Sequence, residues 1–166
     1  MVQDKLINYP PAIRKALSHD LNRYVAAEYS ASEFASKSLA EASIDYPLWL
    51  GFVENTALDK AAKIELESFI VLMQGDAPRH IKKHHEFDGE GQRMPVAADY
   101  DFLMGDLTAP DSVRTGKVVD GLQRIVVTKE RGGEVFVWVF EIRPGKRNRS
   151  VVPVTLAIKT KKGTGS

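Results

Sequence analysis

Three strand-like runs separated by short turns constrain the fold of this chain more than any other feature of its sequence. Apolar and β-branched residues dominate positions 122–128, 134–142 and 151–159. The turns between them contain Glu-Arg-Gly-Gly at 130–133 and Pro-Gly at 144–145, and glycine and proline suit tight chain reversals. Consecutive strands joined by such short connections run antiparallel. The sequence therefore predicts an antiparallel β-meander.

The alternation of side chains predicts which residues share a face of this sheet. In the middle run both alternating sets are apolar, so we expect its strand to be central and covered on both faces. The last run has a set that should meet the helices: Val152, Val154, Leu156 and Ile158. Thr155 and Lys159 are expected on the opposite face.

The first 68 residues predict helices instead of strands. Apolar residues recur at intervals of four along positions 13–29, as on one face of an amphipathic helix. Ser30 and Glu33 form a capping-box pattern at the start of a second helix. Asn55 or Thr56 is a suitable cap for a third.

Helices followed by an antiparallel sheet predict an α+β fold, in which the N-terminal helices pack on the C-terminal β-meander. We expect a helical region at 1–68 and a second region at 69–166, although 166 residues also suit one compact unit. No apolar run is long enough to span a bilayer, so membrane insertion is not expected. The chain has no cysteine, which excludes disulfides and thiolate metal sites.

A short helix before the meander carries the most reactive combination of residues. Asp76 is a suitable N-cap and Pro78 fits the first turn, so His80 and His84 should lie one turn apart on the same side. Imidazole changes charge between pH 5 and 8, which suits such a pair to proton transfer. The same helix contains three cations: Arg79, Lys82 and Lys83.

Positive charge is concentrated in the second half of the chain. Residues 1–75 contain 7 Lys and Arg against 10 Asp and Glu, whereas residues 76–166 contain 16 against 12. Within 143–162 there are seven cations and no carboxylate. Alone, this segment could be a solvated turn and a basic tail; together with the histidine helix, it favours a polyanionic partner.

Four segments in a fixed order indicate a family resemblance. They read FIVLMQGDAPRHIKKHH, LTAPDSVRTGK, GLQRIVVTKERGGEVFVWVFEIR and VPVTLAIKTKK. In this order of strand, histidine helix, connecting helix and meander, residues 69–162 resemble the phage-associated branch of the barnase, EndoU, colicin and RelE-like (BECR) nuclease superfamily. Such nucleases occur in phage head-associated proteins and polymorphic toxins. The resemblance implies metal-independent cleavage of RNA, often of tRNA.

The resemblance also implies site residues. His80 and His84 resemble the family's helix histidines, and Lys129 resembles the cation of its first meander strand. His85 stands where the family often has proline, so either His84 or His85 is the second histidine. Thr155 or the pair Lys159 and Thr160 resembles the polar position of the last strand.

The chemistry of RNA cleavage independently requires groups of these kinds. Without a metal, it needs a base for the ribose 2′-hydroxyl, an acid for the departing 5′-oxygen and cations for the phosphate. We therefore expect His80 and His84 to exchange protons. Lys129 or Arg143 is expected to stabilise the phosphoryl oxygens, and Thr155 to position the phosphate. The predicted catalytic residues are thus His80, His84, Lys129 and Thr155, and the predicted product is a 2′,3′-cyclic phosphate. The predicted RNA-binding residues are Arg79, Lys83, His85, Arg143, Lys146, Arg147, Lys159 and Thr160. No cofactor is expected.

The two histidines have two other interpretations. A zinc ion can bind an i, i+4 histidine pair, but the pattern lacks a third ligand, and Lys82 and Lys83 would repel a cation. No metal site is therefore expected. Histidines on an exposed basic helix can also be merely solvated.

The sequence is compatible with two functions. The first is an RNA-cleaving toxin or phage-encoded nuclease that acts in the cytoplasm of a target cell, delivered within a larger secreted or phage-packaged protein. Its expected partners are RNA, with tRNA favoured, and an acidic immunity protein that covers the basic cleft. The alternative is a non-enzymatic module for nucleic-acid binding or for phage or secretion assembly.

Overall fold

A computed structural model describes residues 30–40, 47–67, 69–85, 91–145 and 149–161. The helix predicted along 13–29 lies outside these residues, as do Lys146 and Arg147. For His84 and His85 the backbone is described but the side chains are not.

The described chain contains helices and strands in mixed order. The helices are α1 (Ala31–Leu39), α2 (Leu58–Ala62), α3 (Ala77–His85), a 3-10 helix (Ala97–Phe102) and α4 (Leu103–Thr108). The strands are β1 (Leu48–Phe52), β2 (Ile70–Met73), β3 (Gln92–Arg93), β4 (Ser112–Val119), β5 (Leu122–Arg131), β6 (Glu134–Arg143) and β7 (Ser150–Thr160). None of the described helices is both long and apolar enough to cross a membrane.

The seven described strands form one sheet, in which six follow the order β1-β2-β7-β6-β5-β4 and β3 lies off this path. The pairs β4–β5, β5–β6 and β6–β7 are antiparallel, which confirms the meander, with β6 in its centre. One pair is parallel, β2 with β7. The short strand β3 pairs with the same edge of β7, further along. The predicted α+β class is confirmed.

The helices pack on one face of the sheet and form a single core with it. Phe34 of α1, Ile81 of α3 and Tyr100 of the 3-10 helix lie in the same buried cluster as Trp138 and Phe140 of β6. The described part of the predicted helical region therefore shares its core with the meander.

Burial raises the pKa of the Tyr100 phenol, because the charged form would lose its hydration.

The opposite face of the sheet is also partly buried. Trp49, Ile70, Leu72 and Val152 are almost fully shielded from solvent but lie outside the helix-facing cluster. Strand β2 is consequently apolar on both faces, as its continuous apolar sequence predicts.

The Ser30 half of the predicted capping box of α1 is confirmed. The hydroxyl of Ser30 accepts a hydrogen bond from the backbone N–H of Glu33 at 3.1 Å and contacts the Glu33 carboxylate at 3.2 Å. It therefore satisfies a backbone donor that the first helical turn leaves without a partner.

Replacing Ser30 with alanine should lower the free energy of unfolding by about 1 kcal/mol, because that donor loses its cap. Urea denaturation monitored by circular dichroism would measure the change. Ser36 is exposed on the same helix and provides the matched control. Ser36→Ala should change the stability by less than about 0.5 kcal/mol, and equal losses in the two variants would contradict the capping role.

The predicted turn between the first two meander strands is also confirmed. Gly132 and Gly133 have φ values of 54° and 81°, and they join β5 to β6 as a two-residue hairpin. Positive φ at both positions is characteristic of a type I′ turn, whose twist matches that of the flanking strands.

The predicted facing of the last strand is wrong for Val152 and Val154. Leu156 and Ile158 do lie in the helix-facing core, but the register of β7 against β6 shifts between Thr155 and Pro153. This β-bulge inserts Val154 as an extra residue, so Val152 pairs with Glu141 on the opposite face. A bulge reverses the alternation on one side of it, which a strict two-residue period cannot represent.

Strands β1 and β4 were not predicted from the sequence. Within β1, Gly51 interrupts the apolar pattern, and the register shifts at this point. In β4 the exposed residues outnumber the half-buried ones, so the strand lacks an apolar face of its own. The pairing of β1 with β2 and of β4 with β5 determines their conformation.

Candidate active site

The edge of β7 changes partner along its length, and this produces a recess in the sheet. Its first residues, Ser150 and Val151, pair with β2, whereas Ile158 and Lys159 pair with β3. Helix α3 follows β2 in the chain and contacts β7. Between the two pairings, the edge of β7 therefore faces a helix instead of a strand.

A cavity of about 490 Å³ lies at this position, a size typical of small-ligand sites. Glu141 and Val152 are buried in its wall, and Asp76 and His80 are exposed. The full lining comprises Gln74, Asp76, Ala77, His80, Arg124, Glu141, Arg143, Val152, Pro153, Val154 and Thr155. Three predicted site residues, from a helix and two strands, are thus brought together: His80, Arg143 and Thr155.

A buried carboxylate connects two arginines in this cavity. Oε2 of Glu141 accepts hydrogen bonds from Nε and Nη2 of Arg124 at 3.2 and 3.1 Å. Oε1 accepts from Nε of Arg143 at 3.0 Å. Glu141 is 5% exposed, whereas the Arg143 side chain is 40% exposed. Arg143 thus uses Nε to hold the carboxylate and has its two terminal nitrogens as further donors.

His80 reaches the cavity from the first turns of α3. The backbone N–H of His80 donates to the carbonyl of Asp76 at 2.9 Å, which forms the first turn at the predicted helix start. Ile81 and Ala77 anchor α3 in the core, so the helix has a fixed orientation on the sheet. Position 84 follows one turn later on the same side of the helix.

Thr155 enters the cavity because of the bulge in β7. It pairs with Val139 of β6 on the face opposite the helix-facing core. Glu141 is two residues further along β6 and therefore lies on this same face. The face with Thr155, Arg124 and Glu141 consequently forms the strand side of the cavity.

Lys129 does not line the cavity. It pairs with Phe136 on the helix-facing side of the sheet, five residues along β5 from Arg124, which is about 17 Å. Its ammonium donates to the carbonyl of Ala109 at 2.7 Å and lies 3.6 Å from Asp111. The structure therefore separates this predicted catalytic cation from His80.

Lys129 instead belongs to a connection between strands β4 and β5. The backbone N–H of Glu130 donates to the Asp111 carboxylate at 2.7 Å. This hydrogen bond is the largest cause that lowers the pKa of Asp111, and the positive charge of Lys129 lowers it further. Lys129 and Asp111 together fix the start of β4.

The predicted RNA-binding residues occupy several places. Lys83 is exposed on α3, and Arg79 is half-buried there, with an Nε that has no hydrogen-bond partner among the described residues. Lys159 and Thr160 are exposed at the far end of β7, and the backbone N–H of Thr160 donates to Gly91. Among the members of this set whose side chains the structure describes, only Arg143 lines the cavity.

Carboxylates outside the carboxylate-free segment 143–162 pair with two of its cations. Glu141 pairs with Arg143, and Glu130 pairs with Lys161 at 2.9 Å. Positive charge is therefore less concentrated on the folded protein than it is along the sequence.

The sequence did not indicate four members of the site: Gln74, Asp76, Arg124 and Glu141. A signal for Glu141 was available, because a carboxylate within an otherwise apolar central strand must have partners once it is buried. Arg124 and Arg143 were the cations closest to it in the predicted meander. The signal required the register of two strand pairs, which the sequence alone did not provide.

Within the described ranges, no three His, Cys, Asp or Glu side chains are grouped closely enough to hold a metal ion. A second charged cluster lies in the core, where Asp106 accepts hydrogen bonds from Arg131 and from the indole N–H of Trp138. The guanidinium of Arg131 also stacks on the rings of Phe102 and Phe136, at 3.9 and 4.4 Å from their centroids. These groups satisfy one another, which indicates a structural role.

Comparison of the chain with protein-family models, curated proteins and solved structures found no match in any of the three.

Proposed function

We propose that this protein is a metal-independent endoribonuclease, of the toxin or phage-encoded kind, whose active site is the cavity between α3 and the bulged edge of β7. The proposal is carried by one observation: His80, Arg143 and Thr155 line the same cavity. These side chains supply a proton-transfer group, a cation and a hydroxyl. The proposed substrates are tRNA or other structured RNAs.

In the proposed reaction the ribose 2′-hydroxyl attacks the adjacent phosphorus, and the 5′-oxygen of the next nucleotide leaves. The products are a 2′,3′-cyclic phosphate and a 5′-hydroxyl. His80 transfers one of the two protons, since its exposed imidazole lies at the cavity. Position 84, one turn further along α3, provides the second proton-transfer group in this scheme.

Arg143 and Thr155 contact the phosphate in this proposal. The terminal nitrogens of Arg143 can donate two parallel hydrogen bonds to phosphate oxygens while Nε remains on Glu141. Thr155 can donate one more from β7. Donors held in place before the substrate arrives stabilise the charge that develops on the phosphoryl oxygens.

Arg143 and Lys129 provide a paired test, because both are cations on meander strands and only Arg143 lines the cavity. Arg143→Ala should lower the rate of RNA cleavage by about 10²–10³-fold, the usual loss when one transition-state donor is removed. Lys129→Ala should change the rate by less than about threefold, because it removes only a remote phosphate attraction. Cleavage of total cellular RNA in the presence of a chelator would be followed on denaturing gels.

Equal losses in the two variants would contradict this placement of the active site. Folding of each variant would be checked by thermal melting, since Arg143 also pairs with the buried Glu141. RNA binding without cleavage by the folded wild-type chain would favour the non-enzymatic binding or assembly module.

A nuclease that is made inside its producer needs an inhibitor. The proposal therefore includes an immunity protein with an acidic surface, delivery within a larger secreted or phage-packaged protein, and action in the target-cell cytoplasm. Arg143, Arg149 and Lys159 are at least partly exposed and form part of the surface available to such a partner. Co-purification with the product of an adjacent gene, lost at high salt, would support this partner.

A further inference from the structure

A buried carboxylate offsets part of the positive charge that two arginines bring to the cavity. Arg124 and Arg143 contribute two positive charges, and Glu141, hydrogen-bonded to both, contributes one negative charge. These three side chains therefore carry a net charge of +1. Asp76 and His80 also line the cavity, but both are exposed to solvent, which screens their charges more strongly than that of the buried Glu141.

Burying the Glu141 carboxylate has an energetic cost that calls for an explanation. A buried Arg–Glu–Arg group is often no more stabilising than apolar residues of similar volume, because all three ions lose hydration. Here the group borders a cavity, and so its net charge acts on whatever binds there. The buried carboxylate lowers the attraction of the two arginines for any anion in the cavity.

This reduction acts unequally on the two kinds of phosphate that RNA presents. An internal phosphodiester carries one negative charge, whereas a terminal phosphomonoester carries close to two above its second pKa of about 6. The repulsion between a carboxylate and a bound anion grows in proportion to the charge of that anion. The dianion therefore loses about twice as much binding free energy as the monoanion.

We propose that Glu141 is a specificity-determining residue that shifts the relative affinity of the cavity away from phosphomonoesters and towards phosphodiesters. The inference rests on the proposed function of the same cavity and refines it: Glu141 reduces the advantage that the two arginines alone would give to phosphorylated chain ends over internal linkages of RNA. Glu141 acts here by its charge and by its buried position beside Arg124 and Arg143, without taking a proton in the reaction.

Two small probes isolate this effect. Dimethyl phosphate represents the diester and methyl phosphate the monoester, and at pH 8 they differ by one charge. Binding would be followed by NMR titration of backbone amides in β6 and β7. The measured quantity is the ratio of the two dissociation constants in each protein. A change in cavity shape would weaken the binding of both probes. The ratio of their dissociation constants therefore reports mainly the charge of the site.

Glu141→Gln keeps the shape of the side chain and removes its charge. We expect the ratio to shift by about tenfold towards methyl phosphate, the effect of one additional unit of charge interaction at a partly screened site. Glu134→Gln is the matched control, because Glu134 lies on the same strand and pairs with Arg93 outside the cavity. This control should leave the ratio within about twofold of the wild-type value.

A second variant covers the case in which Glu141→Gln does not fold. Arg143→Met removes a positive charge and should shift the ratio by about tenfold in the opposite direction, towards dimethyl phosphate. An unchanged ratio in either folded variant, or no binding of either probe at the cavity of the wild-type chain, would overturn the inference. If the ratio shifts as expected but the wild-type chain does not cleave RNA, the charge selection stands and the ribonuclease proposal fails. If RNA is cleaved and the ratio does not shift, only the charge selection fails.

Discussion

Replacing His80 with alanine is expected to lower the rate of RNA cleavage by about 10²–10⁴-fold, the range in which a positioned acid or base contributes to catalysis. In the structure, His80 is the described histidine that lines the cavity with Arg143 and Thr155. The loss should appear mainly in kcat, because phosphate affinity comes chiefly from the arginines. Single-turnover cleavage with excess protein would measure it directly.

Lys82→Ala is the matched control for this prediction. Lys82 is exposed on the same helix but does not line the cavity. Its replacement should weaken RNA binding slightly and leave the single-turnover rate within about threefold of the wild-type value. Neither variant should change the thermal stability appreciably, since both side chains are exposed. A His80→Ala protein that cleaves at the wild-type rate would remove His80 from the mechanism.

The largest loss of stability is expected from Asp106→Ala. Asp106 is 1% exposed and connects α4 to the sheet: it accepts hydrogen bonds from both terminal nitrogens of Arg131 and from Trp138 Nε1 at 2.8 Å. Its removal leaves the buried indole N–H without this partner and takes the counter-charge from Arg131. We expect the free energy of unfolding to fall by about 3 kcal/mol.

A chain of this length loses about 2–4 °C in Tm for each kcal/mol, so the expected decrease for Asp106→Ala is about 6–12 °C. Glu130→Gln is the control, because the Glu130–Lys161 pair is exposed and contributes little. Thermal melts of the two variants would be compared with the wild-type melt. If Asp106→Ala melts within about 2 °C of Glu130→Gln, the Asp106 cluster is not a main stabilising contact.

The parts of the fold that depend on local sequence could be predicted. Ser30 and Glu33 specify a helix start through hydrogen bonds between residues three apart, and Gly132 and Gly133 specify a hairpin through their own φ values. Neither depends on a distant residue. The α+β class followed from the order of such elements.

The parts that depend on register between distant segments could not be predicted. The bulge at Val154 is visible only when β7 is paired with β6, and it moves Val152 to the opposite face. For the same reason, the sequence did not indicate that Arg124 and Arg143 share Glu141. Strand β4 escaped prediction because its side chains lack a clear alternation, and its pairing with β5 determines its conformation.

In the candidate site, too, features that depend on local sequence were predicted and features that depend on strand position were not. His80 was identified from residue spacing on one helix, and the structure brings it to a cavity with Arg143 and Thr155. Lys129 was chosen by resemblance, but the five residues that separate it from Arg124 on β5 put it on the other face of the sheet. Because β5 pairs with β6 without a register shift, an odd separation along β5 places two side chains on opposite faces, and Lys129 therefore lies away from the cavity that Arg124 lines.

The most direct test of the account is the chemical identity of the RNA ends that the purified wild-type chain produces from total cellular RNA in the presence of a chelator. Attack by the 2′-hydroxyl predicts 2′,3′-cyclic phosphate ends paired with 5′-hydroxyl ends at the same cleavage positions. Linear 3′-phosphate or 5′-phosphate ends formed without a cyclic intermediate, or intact RNA after incubation with the folded protein, would contradict it.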